Sequence, residues 1–66
     1  MDEKEKLRIL IPHWIAHNQE HAQEFRDWAV RAGEPVPDIL AAAEAVDKAN
    51  EHLSVALEEL GGPINN

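Results

Sequence analysis

Apolar positions in the second half of the chain recur in alternating steps of four and three: Ile39, Ala43, Val46, Leu53, Leu57 and Leu60, with Asn50 filling the one polar place. That period belongs to an α-helix presenting one stripe to a partner. Alanines at 42, 49 and 56 form a second row beside the stripe and permit close approach of another helix. The first half carries a comparable stripe at Leu10, Trp14, His17, His21, Phe25, Trp28 and Ala32. Both stripes are coiled-coil-like seams.

Breakers divide the two. Gly33-Glu34-Pro35-Val36-Pro37 cannot continue a helix, because each proline lacks an amide proton and clashes with the preceding turn. Gly33 supplies a stop and Pro37 a start. Gly61-Gly62-Pro63 closes the second helix, and Ile64-Asn65-Asn66 reads as a frayed tail. The pattern predicts one domain over residues 1–66, with helix 1 at about 4–32, a turn at 33–36 and helix 2 at about 37–60. Pro12 is expected to kink helix 1 or break it. The fold class is all-α, an antiparallel two-helix hairpin.

With the turn near Glu34, facing residues have numbers adding to about 70. On that register His21 faces Asn50 or Ala49, and His17 faces Leu53. The polar members of the two stripes then share one level, a buried layer that costs stability unless its groups pair. A second apolar side, Leu7, Ile11, Ile15, Ala22 and Ala29, would remain uncovered in a lone hairpin. Dimerisation into a four-helix bundle is the simplest remedy.

Composition narrows the chemistry. Sixty-six residues bury a small core. There is no cysteine, tyrosine or threonine, and Ser54 is the one serine. Disulfides, thiolate metal sites and most nucleophilic catalysis are therefore excluded, and no enzyme is expected. Thirteen acidic against six basic residues give a net charge of −7. That field repels nucleic acid and favours cations. The charged start and the short apolar run Leu7–Pro12 resemble neither a signal peptide nor a membrane span, so a cytoplasmic location without membrane contact is expected.

Three of the four histidines fall within nine residues, at 13, 17 and 21. Four-residue spacing stacks side chains on successive turns of one face, where two imidazoles can share one ion. Glu20 and Glu24 project beside them. Imidazole and carboxylate suit Zn, Ni, Cu, Co or Fe. His17 and His21 form the primary pair, assisted by His13, Glu20 or Glu24, with a partner chain able to complete the set. Asn50 would orient an imidazole from outside the ligand set, and His52 lies at the edge of the alanine row. The competing reading is a metal-free interaction module in which a buried His21–Asn50 layer fixes pairing. A pH-responsive layer is a third possibility. Neither Glu-x-x-His nor His-Glu-x-x-His occurs, which argues against di-iron oxidase and zinc-protease chemistry.

The run Ile11-Pro12-His13-Trp14-Ile15-x-His17-Asn18-x-Glu20-His21-Ala22-x-Glu24-Phe25-Arg26-x-Trp28-Ala29 carries a resemblance. So do Ala49-Asn50-Glu51-x-Leu53 and Leu57-Glu58-Glu59-Leu60-Gly61-Gly62. Together, over roughly residues 7–62, they resemble a small uncharacterised helical-hairpin family. That family is also seen as a C-terminal extension of CooT-type nickel-binding proteins. The resemblance implies involvement in metal handling, with nickel as one candidate. The chain's own donor set leaves Ni, Zn, Fe and Co open, and a metal-protein partner is a further expectation. Only His13, His17 and His21 transfer as ligands. The CooT barrel and its N-terminal cysteine are absent, so nickel binding of that type does not carry over.

Overall fold

A computed structural model describes residues 1–64; Asn65 and Asn66, part of the expected tail, lie outside the described residues. Two helices account for nearly all of it: α1, Glu3–Arg31, and α2, Pro37–Glu59. They pack against each other as an antiparallel hairpin, and no strand occurs among the described residues.

Local chemistry sets the helix ends. The Asp2 side chain accepts from the Glu5 amide at 2.8 Å, and the Glu5 carboxylate accepts from the Asp2 amide at 3.4 Å. This reciprocal box satisfies two amides that the first turn leaves free. Glu3 and Glu5 at the start and Arg31 at the end complement the helix dipole. Gly33, at φ 73°, takes the left-handed conformation that stops α1. Pro37 opens α2 at a position where no amide is needed.

Pro12 does not break α1, which runs through it as one helix. Its missing amide leaves the Arg8 carbonyl without the usual partner four residues on. The Ile64 amide donates to that carbonyl at 3.4 Å. The Arg8 guanidinium reaches the same turn, donating from Nε to the Gly62 carbonyl at 2.7 Å and from Nη2 to Gly61 at 3.1 Å. Gly61 and Gly62 both have positive φ, and their amides bond back to Glu58 and Leu57. The end of α2 is therefore tied to the second turn of α1. Ile64 is half-buried there, where fraying was expected.

The hairpin keeps the expected register, since Arg8 meets Gly62, Asn18 meets Asn50 and Arg26 meets Asp47. The face of α1 differs. Ile11, Ala22 and Ala29 are buried against α2, and Ile15, Asn18 and Phe25 are half-buried. The apolar side expected to need a second chain is thus the internal seam. Leu10, Trp14 and Trp28 are 43%, 43% and 57% exposed, and His17 and His21 are exposed as well. The expected seam is rotated out by roughly a quarter turn, at about 100° per residue. The reason is steric and polar together. Ala22 and Ala29 let α1 approach Ala43, which is wholly buried, as two tryptophans could not.

The rotation also changes the polar layer. Asn50 is buried, but its partner is Asn18 rather than His21. Asn18 donates to the Asn50 carbonyl oxygen at 2.9 Å, and the Asn50 amide donates to the Ile15 carbonyl at 3.1 Å. No buried side-chain nitrogen or oxygen among the described residues lacks a partner.

Replacing Asn50 by Ala removes both bonds and is expected to cost about 1–3 kcal/mol. That lowers the melting temperature by roughly 4–8 °C per kcal/mol in a domain of this size. The Asn18→Ala/Asn50→Ala double variant should lose less than the sum of the single changes, as thermal melts of all three will show. Pro12→Ala restores an amide that competes for the Arg8 carbonyl. It should raise the melting temperature while the Ile64 amide exchanges faster, read by hydrogen exchange.

Candidate functional site

The outward face of α1 carries the cluster. Four-residue spacing on an unbroken helix stacks His13, His17 and His21 on three successive turns. With Trp14, Asn18 and Leu53 they line a groove of about 510 Å³ along the junction of the two helices. Leu53 reaches it from α2. Asn18 forms part of the wall and is held by its bond to Asn50, so the buried pair anchors the floor of the site. Leu53 stands where the register put it, opposite His17, whereas Asn18 was not expected at the cluster. Asn18 could have been found, because it falls on the same stripe as Ile11, Ala22 and Ala29.

His17 and His21 lie edge to face, with ring centroids 6.2 Å apart and an interplanar angle of 67°. His21 also stacks on Phe25, at 6.4 Å and 29°. All four imidazoles are exposed, and no hydrogen bond or ion pair among the described residues engages them. Their lone pairs are free for a ligand. An ion held by two imidazoles at metal–nitrogen distances of about 2.0–2.1 Å needs centroids roughly 5 Å apart.

The rest of the proposed ligand set is not gathered. Glu20 and Glu24 are exposed beside the histidines on α1, and His52 is exposed on α2 outside the groove. Among the described residues, no group of three His, Cys, Asp or Glu side chains is arranged to hold an ion. Asn50 sits beneath, bonded to Asn18 and Ile15, and makes no hydrogen bond to an imidazole. The buried His21–Asn50 layer is therefore absent.

The opposite face of the hairpin is marked by the Arg26–Asp47 ion pair. Both side chains are more than a third exposed, so the pair contributes little to stability. Arg31 lies 4.8 Å over the Trp28 ring, which leaves that indole partly covered by a cation. No helix among the described residues is long and apolar enough to cross a membrane.

None of the curated proteins or solved structures compared with this chain matches it. The model of a family described as a domain of unknown function, DUF8180, matches residues 7–60, a span that takes in both helices and the whole histidine cluster, and the chain belongs to that family.

Proposed function

We propose that this chain binds a divalent transition ion, Ni, Zn, Fe or Co, on α1, for storage, delivery or sensing rather than catalysis. The observation that carries this reading is the pair of exposed imidazoles at 6.2 Å, free of hydrogen bonds, on one face of a continuous helix. His17 and His21 are the primary ligands, and His13, Glu20 and Glu24 stand on the same helix to assist. Neutral imidazole with a carboxylate is a donor set suited to these ions. The net charge of −7 concentrates cations around the chain. The resemblance to the extension of CooT-type nickel-binding proteins favours nickel among the four. Two imidazoles alone leave coordination positions open, so the ion bridges to a second copy or to a metal-delivering partner protein. The absence of a nucleophile beside a general base speaks for transfer of the ion rather than chemistry on a substrate.

A second reading is favoured by a separate observation, the exposure of Trp14 and Trp28. It makes the chain a metal-free association module in which the aromatic stripe docks and Asn18–Asn50 fixes the internal register.

Calorimetric titration of chelator-treated chain with NiCl2 or ZnCl2 separates the two. His17→Ala/His21→Ala should abolish measurable binding while the far-ultraviolet circular dichroism is unchanged, because both side chains are exposed. Wild-type chain that takes up neither ion would sink the metal reading. Binding at the pair should also quench indole fluorescence when the ion is Ni. Trp14 shares the groove with His17, so Trp14→Phe should remove most of the quenching and Trp28→Phe little of it.

A further inference from the structure

The hairpin is a flat slab, 48 × 19 × 13 Å between Cα extremes. One broad face is marked by Arg26–Asp47 and the other by the histidine groove. Leu53 belongs to the second, and Ala49 and Ala56, four before and three after it, share its flank of α2. Ala42 continues that row seven residues back. On α1 of the same face, Trp14, His21 and Trp28 form a ridge with the same seven-residue spacing. One face thus presents a bulky ridge beside a row of small residues. Neither row contains Asp, Glu, Lys or Arg, in a chain that is 29% charged. The whole broad face, 48 × 19 Å between Cα extremes, outlines on the order of 900 Å², room enough for the roughly 800 Å² each partner buries in a stable complex, and the two rows occupy about 21 Å of its length.

We propose that a second copy of this chain covers that face and that its His52 completes the imidazole set begun by His17 and His21. The dyad runs parallel to the helices. The ridge of one chain then seats on the alanine row of the other: Trp14 on Ala56, His21 on Ala49 and Trp28 on Ala42. A parallel dyad leaves the level along the bundle unchanged, so each α1 residue meets the partner's α2 where it meets its own. That register, numbers adding to about 70, is the one Asn18 and Asn50 already obey. A dyad across the helices would instead set ridge on ridge and alanine on alanine. Such packing leaves voids along α2 and crowding along α1, which protein interiors do not tolerate.

The shared site follows from the pairing. His52 is three residues beyond Ala49 and therefore its neighbour on the α2 surface. With His21 over the partner's Ala49, the partner's His52 comes level with His17 at the edge of the interface. Three imidazoles from two chains then surround one ion, with Glu20 or Glu24 available on the outer side. Two equivalent sites form per dimer. This part rests on the metal reading above; the docking face does not.

Sedimentation equilibrium of the full chain in chelator-containing buffer tests the face. Wild type should be a dimer without metal, and Ala49→Arg should raise the dissociation constant at least about tenfold. Ala49 is exposed in a single chain and arginine is a good helix former, so the variant's helicity should persist. Ala42→Arg serves the same purpose should Ala49→Arg fold poorly. Titration with NiCl2 then tests the site. One ion per chain is expected, and His52→Ala should weaken binding about tenfold or more while leaving the dimer intact. A monomeric wild type, or a dimer indifferent to both arginines, overturns the docking face. Unchanged affinity in His52→Ala, with one ion per two chains, overturns the shared site and indicates α1 against α1. A dimer broken by Ala49→Arg that takes up no Ni upholds the face and overturns the site together with the metal reading.

Discussion

The arrangement depends on the amide pair between Asn18 and Asn50. A buried carboxamide must spend its donors and acceptor inside the protein, because leaving one unpaired costs about 1–3 kcal/mol. Asn50 is buried at the centre of α2 and finds two partners, the Asn18 amide and the Ile15 carbonyl, on one flank of α1. Only one rotation of α1 about its own axis offers both. That rotation turns Ile11, Ala22 and Ala29 inward and turns Trp14, His17, His21 and Trp28 outward. A small apolar seam would accept several rotations at similar energy. The directional pair selects one and so decides which side chains are available to a ligand.

The far end of the hairpin is fixed by a different device. Proline within a helix is normally a cost, since a carbonyl four residues earlier loses its donor. Here that carbonyl belongs to Arg8, and Ile64 supplies the donor. The same residue's guanidinium covers the carbonyls at the end of α2. Gly61 shapes this turn through its backbone: its φ of +110° is one that side chains rarely adopt, while a Cβ there would only touch the Arg8 guanidinium. The backbone gap at Pro12 thus becomes a point of attachment, and α1 stays continuous beneath the histidines. Their four-residue spacing keeps its meaning because of that continuity.

Periodicity made the two helices, the turn at Gly33–Pro37, the Gly-Gly stop and the antiparallel register legible in the sequence. Rotation was not legible, because α1 carries two apolar stripes. One is large and aromatic, the other small and aliphatic, and hydrophobicity alone ranks the aromatic one higher. Close approach reverses that ranking, since alanines permit an interhelical distance that indoles forbid. Asn18 sits on the small stripe and would have broken the tie, but the two exposed histidines beside it drew the polar layer toward themselves. The histidine spacing itself was fully visible. The free state of the rings and the lack of a third ligand nearby were not, because both depend on the rotation.

The same rotation leaves the hairpin unfinished. Only Ile11, Ala22, Ala29, Ala43 and Asn50 are buried among the described residues, and three of these are alanines. Small chains bury a low fraction of their surface and need a staple, a metal or a partner to be stable. This chain has no cysteine. Its largest side chains stand outside, on the face that also carries the unengaged imidazoles. On the proposed reading, covering that face and completing the ligand set of the ion are one requirement. An ion bound by the histidines alone would leave the indoles wet, and a surface that covered the indoles without reaching the histidines would strand them at its rim. A partner that satisfies both must present small apolar residues at seven-residue spacing with a donor three residues beyond one of them. Helix α2 of the same chain has that pattern in Ala42, Ala49, His52 and Ala56.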